Sequence, residues 1–231
     1  MFKVREYGPD TADNVVFMFS GAGVPAWQLE LPFLPLWYFK KAGWKVFYYH
    51  YPFKVVLAAD LYLQTVQGAY ADAAKRLAEL PSDKNVLVAG VSLGSLPATK
   101  LAVSSRRVKG LVLNVPYADP ITNLFDFGPT HKVPKDYVEK FLASRKLEDV
   151  EKAASPFSPL QNAHRLKHVK VLLFVARRDR IFLYRHSQKL RDALQLHVAQ
   201  FKCLESEKLG HWLGASKYNL QSSKWLHWLG F

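Results

Sequence analysis

The chain of 231 residues contains a single cysteine, Cys203. One cysteine cannot close a disulfide within the chain, which excludes the disulfide-stabilised scaffolds of small secreted proteins. A lone thiol also says nothing for metal binding, which needs several ligands brought together. The cysteine content therefore predicts a reduced, cytoplasmic location.

Long hydrophobic runs are also missing, although 49% of the residues are hydrophobic. No apolar run reaches the roughly 18 residues that would suggest a membrane span. The first six residues lack the apolar stretch and the small-residue cleavage site of a secretory signal. We therefore predict no membrane span and no secretory signal. The apolar and aromatic content excludes intrinsic disorder, and the length predicts one domain over residues 1–231.

Acidic residues are scarce, with 19 Asp and Glu against 32 Lys and Arg and a formal net charge of +13. Such a surface could attract anionic substrates, membrane headgroups or nucleic acid. However, the basic residues are spread from Lys3 to Lys224, without a basic tail or a nucleic-acid motif. This spacing favours a basic surface with no specific nucleic-acid partner, and the sequence carries no signal for an oligomeric state.

Apolar, β-branched runs alternate with segments of helical spacing, and this alternation is the main signal of fold class. Several runs are apolar almost throughout, as expected for strands covered on both faces. The alternation predicts an α/β fold with a mostly parallel sheet and helices on both faces. Strands are predicted at residues 14–19, 45–50, 85–89, 108–115, 169–175 and 201–205, and helices at 55–80, 95–105, 183–197 and 215–229.

The interval between the fourth and fifth predicted strands departs from this alternation. It contains six prolines between Pro116 and Pro159, and a charged, helix-like segment at residues 135–154. Long connections in compact domains are usually functional or disordered, and an insertion between strands can cover a site. We therefore predict a small helical lid at about residues 117–166. The alternative is a helical excursion that only covers an edge of the sheet.

The most informative motif is Gly90-Val91-Ser92-Leu93-Gly94, which follows an apolar run and precedes a helix. A chain that turns sharply from strand to helix holds the turn residue in a strained conformation, and glycines on either side leave room for the turn. The turn raises the serine hydroxyl above the sheet and aims backbone N–H groups at developing negative charge. This context predicts a nucleophile elbow with Ser92 as the nucleophile.

A reactive serine needs a base, normally a histidine that a carboxylate orients. His211, between the last predicted strand and the last predicted helix, is the preferred base, and His50 is the second choice. Asp179 follows the fifth predicted strand and is the preferred acid, because it completes the chain order serine, acid, histidine. A surface role beside its arginine neighbours is the alternative for Asp179, and Asp119 and Asp126 are competing acids.

Acyl transfer also requires N–H donors for the oxyanion of the transition state. One donor is predicted at the backbone N–H of Leu93, directly after the nucleophile. The other is predicted in the loop Ser20-Gly21-Ala22-Gly23, which follows the first predicted strand. We assign this second donor to Ala22, with Gly23 as the alternative.

These motifs resemble the α/β-hydrolase superfamily, specifically its small serine esterase-like members, over almost the whole chain. The resemblance also rests on Ser158-Pro159-Leu160 before a strand and on Gly210-His211 near the end. It implies the α/β-hydrolase fold with an eight-stranded or slightly smaller sheet, no cofactor, and a lid between strands. Two positions depart from the common pattern: Ser20, where many members carry histidine, and Ala176, where glycine is frequent.

We therefore predict a hydrolase that cleaves carboxylic esters of small molecules through an acyl-enzyme on Ser92, with lactones and thioesters as neighbouring substrates. Aromatic-rich segments at residues 32–39 and 47–53 suggest an apolar acyl group, although packing explains most of these side chains.

Two other classes of protein remain as alternatives. Gly21-Ala22-Gly23 matches a relaxed dinucleotide fingerprint, as in a nucleotide-dependent oxidoreductase, but the next predicted strand ends without the acidic residue that would hold the ribose. A non-catalytic binding protein on the same scaffold is the other alternative. Such a protein would have no need to keep three triad residue types in order.

Overall fold

The computed structural model of the protein describes residues 2–23, 35–52, 59–125, 146–219 and 222–231. Seven strands are found there: β1 (Lys3–Tyr7), β2 (Asn14–Ala22), β3 (Lys45–Tyr51), β4 (Asn85–Val91), β5 (Val108–Asn114), β6 (Lys170–Ala176) and β7 (Phe201–Ser206). They form one sheet in the order β1-β3-β2-β4-β5-β6-β7. Neighbouring strands are parallel except for β1, which runs antiparallel to β3. This confirms the predicted mostly parallel α/β sheet.

Helices cover both faces of this sheet. They are α1 (Pro35–Lys41), α2 (Ala59–Glu79), α3 (Ser95–Ser104), α4 (Pro120–Phe125), α5 (Leu147–Ala154), α6 (Pro159–Asn162), α7 (Tyr184–His197), α8 (His211–Asn219) and α9 (Ser222–Leu229). Side chains of α2, α3 and α7 pack in the core on one face, and those of α1 and α9 pack in the core on the other. Within the described ranges, no helix is both long enough and apolar enough to cross a bilayer.

The central strands are apolar throughout because each of them has a core on both faces. Successive side chains of a strand point in opposite directions. In β2, Phe17 and Phe19 therefore pack in one core, while Val16 and Met18 pack in the other. The ring of Phe19 stacks on that of Tyr49 in β3, with 4.6 Å between the ring centroids. Burial on both faces explains why the sequence pattern located these strands.

All six strands predicted from the sequence are present, with ends that agree within three residues. The sequence did not predict β1, which is short and mostly polar. Lys3, Arg5 and Glu6 of β1 are exposed, and only Val4 and Tyr7 pack against the cores. An edge strand pairs on one side and buries little, so it lacks the apolar run that marks a central strand.

The loop predicted at residues 20–23 is wrong, because β2 continues through Ala22. The parallel pairing with β3 is irregular between Phe19 and Ala22, and then resumes where Ala22 pairs with Tyr51. Glycine and serine at this point suggest a turn in the sequence. Pairing with the neighbouring strand keeps the segment in the sheet instead.

The single helix predicted at residues 215–229 is also wrong in detail. The structure has two helices there, α8 and α9, separated by residues 220 and 221, which lie outside the described residues. His211 was expected in a loop and is instead the first residue of α8. Helical spacing runs through both segments, so the sequence does not show where the first helix begins or ends.

The predicted lid, residues 117–166, is described only in part. It contains α4, α5 and α6, and two short 3-10 turns, Ser155–Phe157 and Ala163–Arg165. Residues 126–145 lie outside the described ranges, and with them the competing acid Asp126. The lid therefore stays a prediction, and so does the organisation of the chain as one domain.

Candidate active site

The carboxyl ends of the parallel strands β4, β6 and β7 lie at the same edge of the sheet. Ser92 directly follows β4, Asp179 follows β6, and His211 begins the helix after β7. A small apolar cluster lies beneath all three segments and joins them. Its members are Val91 at the end of β4, Val115 after β5, Ala176 at the end of β6 and Ala215 in α8. The tertiary structure thus brings the three predicted triad residues to the same edge.

Ser92 lies in a strained turn between β4 and α3. Its φ angle is 51°, in the left-handed region that side-chain-bearing residues rarely adopt. It begins a 3-10 turn, Ser92–Gly94, that leads directly into α3, and its side chain is half-buried rather than covered. This is the conformation that the sequence predicts for a nucleophile elbow.

The two glycines of the motif are required by the close approach of backbone segments. A Cβ atom on Gly94 would lie 2.3 Å from the carbonyl oxygen of Phe19 in β2. A Cβ atom on Gly90 would lie 2.6 Å from the carbonyl oxygen of Gly94 and 2.8 Å from the Cβ of Ala98 in α3. The turn therefore packs against the end of β2, which brings Leu93 and the predicted second oxyanion donor into neighbouring segments.

Asp179 and His211 form a buried hydrogen-bonded pair. His211 Nδ1 lies 2.7 Å from Asp179 Oδ2, and the two residues are 5% and 7% exposed, respectively. Asp179 Oδ1 accepts the backbone N–H groups of Ile181 at 2.8 Å and Phe182 at 2.9 Å. These bonds fix the carboxylate, which in turn favours the imidazole tautomer with its proton on Nδ1 and its lone pair on Nε2.

The alternative reading of Asp179 as a surface aspartate paired with arginine does not fit its burial. The neighbouring Arg177 pairs with Glu205 of β7 instead, with 2.9 Å between Nε and Oε2. This exposed pair raises the pKa of Arg177, mainly through the hydrogen bond to Glu205. Asp179 thus points into the protein while its arginine neighbour lies on the surface.

A continuous set of contacts connects the serine to the histidine. The backbone N–H of Tyr117, just after β5, donates to the carbonyl oxygen of Ser92 at 3.3 Å. The Tyr117 ring meets the Phe182 ring edge-on at 4.7 Å between centroids. The Phe182 ring in turn meets the His211 ring edge-on at 5.0 Å. Tyr117 and Phe182 are both buried, and their rings pack beside the segments that carry the elbow and the imidazole.

Asn114 is a supporting residue that the sequence analysis missed. Its side-chain amide donates to the carbonyl oxygen of Ala215 at 3.1 Å, which ties α8 to the end of β5. The next residue, Val115, has a φ of 41°, a strained value for a β-branched side chain. The available signal was a lone amide at the end of the apolar run that forms β5, because a buried polar group needs a partner.

The competing acid Asp119 has a different set of partners. Its Oδ1 accepts the backbone N–H groups of Ile121 at 3.1 Å and Thr122 at 2.8 Å, at the start of α4. Its Oδ2 accepts the Ser158 hydroxyl at 2.7 Å and the Gln161 amide at 3.0 Å. Asp119 thus caps one helix and joins it to the segment before β6, which is a structural role.

The second-choice base, His50, lies on the other half of the sheet. It is the penultimate residue of β3, which is separated from β4 by β2, and it pairs with Lys3 of the edge strand β1. Asp179 follows β6, on the opposite side of β4. The sheet order therefore favours His211 over His50 as the partner of the acid.

The two candidates for the second oxyanion donor differ in their hydrogen bonding. The backbone N–H of Gly23 donates to the carbonyl oxygen of Tyr51 at 2.8 Å. This bond belongs to the sheet, so the N–H of Gly23 is directed at β3. Ala22, the last residue of β2, is therefore the better candidate of the two.

The structure does not support the alternative of a nucleotide-dependent oxidoreductase. Gly21 and Ala22 belong to β2 rather than to a turn, and β3 ends at Tyr51 without an acidic residue. Over the described ranges, His, Cys, Asp and Glu side chains form no group of three or more that could hold a metal ion.

The sheet, its helices and the strained serine define an α/β-hydrolase. Solved structures with this architecture resemble the chain closely in fold but not in sequence. A protein of Thermus thermophilus matches with a TM-score of 0.70 and 18% identity, over 98% of this chain and 93% of that one. An esterase of Pyrococcus furiosus matches with a TM-score of 0.60 and 16% identity, over 98% and 90%.

A puromycin-hydrolysing peptidase of Mycobacterium tuberculosis matches with a TM-score of 0.66 and 19% identity, over 95% of this chain but 34% of that one. No curated protein matches the sequence. The sequence model of the prolyl oligopeptidase family matches residues 67–230, a range that contains Ser92, Asp179 and His211. The chain therefore belongs to the prolyl oligopeptidase family and is a serine hydrolase.

The close packing at Gly94 leads to a prediction about stability. We expect Gly94→Ala to lower the free energy of unfolding by about 3 kcal/mol, because the new Cβ atom would overlap backbone of β2 that cannot move freely. Gly43→Ala is the matched control, since Gly43 has a φ of 73° but open space around it. That control should lose only about 1 kcal/mol, from backbone strain. Urea denaturation measures both, and equal losses would contradict the packing argument.

Proposed function

We propose that the protein hydrolyses carboxylic esters of small molecules, with lactones and thioesters as neighbouring substrates. In this proposal Ser92 is the nucleophile, His211 the general base, and Asp179 the acid that orients the histidine. The observation that carries it is the buried 2.7 Å hydrogen bond between His211 Nδ1 and Asp179 Oδ2, at the same edge of the sheet as the strained Ser92.

The proposed reaction proceeds in two steps. The Ser92 hydroxyl attacks the ester carbonyl carbon while His211 Nε2 takes its proton, and Asp179 stabilises the resulting imidazolium. The backbone N–H groups of Leu93 and Ala22 hold the negative oxygen of the tetrahedral intermediate. The C–O bond to the leaving alcohol then breaks, and His211 returns the proton to that alcohol. Water activated by His211 attacks the acyl-enzyme in the same way, which releases the acid and restores Ser92.

The second candidate function is the hydrolysis of amide bonds in short peptides. The match to the prolyl oligopeptidase family favours it. The share of the other chain that is matched favours esters. This chain matches 90% of the Pyrococcus furiosus esterase but only 34% of the Mycobacterium tuberculosis peptidase. A lipase acting on monoacylglycerol, from Paleococcus ferrophilus, is matched over 98% of its chain with a TM-score of 0.61 and 15% identity.

We also propose that residues 117–166 act as a lid over this site. The segment begins at Tyr117, whose backbone touches the carbonyl oxygen of Ser92, so its first residues lie beside the nucleophile. A cleft of about 590 Å³ opens between α4, α5 and α6 within the segment.

The proposed cytoplasmic location likewise stays a prediction from the sequence.

Removal of the nucleophile gives the most direct test. We expect Ser92→Ala to lower kcat for a soluble p-nitrophenyl ester by at least about a thousandfold, because the variant lacks the hydroxyl that forms the acyl-enzyme in this scheme. The variant should also lose covalent labelling by a fluorophosphonate probe. Ser82→Ala, in an exposed position before β4, is the control and should retain both activity and labelling. Labelling of the Ser92→Ala variant at wild-type level would refute the assignment.

Substitution with asparagine should have different effects at Asp179 and at Asp119, on kcat at the first and on stability at the second. In Asp179→Asn the amide oxygen can still accept from Ile181 and Phe182, so its NH₂ group faces His211 Nδ1 and imposes the wrong imidazole tautomer. We expect kcat to fall about 10³- to 10⁴-fold with little change in stability. Asp119→Asn should instead lower the free energy of unfolding by about 1–3 kcal/mol and change kcat only a few-fold. The reverse result would make Asp119 the acid.

A substrate panel tests the bond that is cleaved. We expect kcat/KM for p-nitrophenyl esters to exceed that for matched peptide p-nitroanilides by at least about a hundredfold, which is about 2.7 kcal/mol of transition-state stabilisation. Ser92→Ala supplies the background rate for every substrate. A higher kcat/KM for the anilides would replace the ester proposal by peptidase activity. A steady fall in rate from acetate to octanoate would exclude a roomy apolar acyl pocket.

A further inference from the structure

Six basic residues gather at the edge of the sheet where β5, β6 and β7 begin. Their neighbourhood follows from the strand register, in which Gly110 pairs with Lys170 and Leu172 pairs with Lys202. All six are exposed except the partly buried Lys170. We call this group the basic edge; it consists of Arg106, Lys109, Arg165, Lys167, Lys170 and Lys202.

Acidic residues are absent from the chain segments that build this edge. Residues 84–118, 152–178 and 193–204 contain neither Asp nor Glu. None of the six basic side chains forms an ion pair within the described part of the chain: Arg165 donates to the Asn162 side chain, and Lys202 lies over an aromatic ring. The basic edge is therefore a region of uncompensated positive charge.

The same edge of the sheet is neutralised where β2, β3 and β4 begin. Lys45 lies 2.7 Å from Asp10 and 3.2 Å from Glu6, and Lys84 lies 3.6 Å from Asp13. Burial of Lys45 acts to lower its pKa, but its hydrogen bonds to Asp10 and Glu6 outweigh burial and raise the pKa. The hydrogen bond from Lys45 lowers the pKa of Asp10. The contrast within one edge shows that the missing counter-charge is specific to β5, β6 and β7.

Apolar side chains lie beside these cations. Leu196, in the last turn of α7, is 77% exposed. The following residue, His197, has its ring 6.3 Å from the ring of His164, which places this turn next to Arg165. The ammonium of Lys202 lies 5.8 Å from the ring centre of the half-buried Trp228. Basic groups with an exposed leucine and a nearby indole are typical of surfaces that rest on lipid headgroups.

We propose that the basic edge docks onto an anionic lipid bilayer. Phosphate and carboxylate groups of the lipids would supply the counter-charge that the chain lacks, and Leu196 would enter the interfacial layer. Nucleic acid would match the charge but gains nothing from an exposed leucine. The parallel strands place the candidate active site at the opposite edge, about 20 Å away for strands of seven residues. The docked protein therefore keeps its site open to water.

Binding to vesicles tests this proposal without reference to the catalytic one. We expect the full chain to cosediment with phosphatidylcholine vesicles that contain about 30% phosphatidylserine, and not with pure phosphatidylcholine, with binding weakened by salt. The triple variant Lys109→Gln/Lys167→Gln/Lys202→Gln should lower the partition coefficient at least tenfold. The control Lys3→Gln/Lys75→Gln/Lys208→Gln removes the same charge from exposed lysines elsewhere and should change it less than twofold. Thermal unfolding checks that both variants are folded.

A single substitution separates lipid from nucleic acid as the partner. We expect Leu196→Ser to weaken binding to anionic vesicles several-fold and to leave binding to a single-stranded oligonucleotide unchanged. If both triple variants lowered the vesicle partition coefficient equally, binding would depend on the net charge of the protein rather than on the basic edge, which would overturn the proposal. Binding to the oligonucleotide that needs the basic edge, together with vesicle binding that does not, would assign this surface to nucleic acid instead.

Discussion

The hydrogen bond between Asp179 and His211 joins the loop after β6 to the first residue of α8, which follows the loop after β7, and the geometry of the candidate site depends on it. Backbone bonds hold the loops in register: the N–H of Arg177 donates to the carbonyl oxygen of Ser206 at 2.9 Å, and the N–H of Arg178 to that of Leu209 at 3.3 Å. These bonds extend the pairing of β6 and β7 beyond the strands. A displacement of either loop would separate the carboxylate from the imidazole, so the sheet itself positions this hydrogen-bonded pair.

Strain is concentrated at the same edge of the sheet. Among the described residues, Ser92 and Val115 alone combine a side chain with a positive φ, and each lies at the end of one of two adjacent strands, β4 and β5. Both are held by contacts that the surrounding fold supplies: Gly94 against β2 for the first, and the apolar cluster with Ala215 for the second. Unfavourable backbone conformations persist where packing determines them, and here neighbouring strands and helices supply that packing.

The two edges of the sheet have opposite character because most strands run in the same direction. The carboxyl edge holds a buried histidine and aspartate among aromatic rings, with the nearby Arg177 turned outward to Glu205. The amino edge of β5, β6 and β7 holds basic residues without acids. A parallel sheet can thus keep the proposed catalytic site and the proposed docking surface at opposite edges.

The sequence by itself predicted six of the seven described strands, the elbow at Ser92 and the chain order of Ser92, Asp179 and His211, because each is encoded locally by apolar runs, glycines and strand ends. The sequence did not predict the edge strand β1. It also did not predict the hydrogen bond from the Asn114 side chain to the carbonyl oxygen of Ala215, whose partners are 101 residues apart. It preferred Asp179 to Asp119 on strand-end placement and chain order without showing the partners of either, and it did not show that basic residues between 106 and 202 share one edge. Those features depend on which strands are neighbours, and only the tertiary structure decides that.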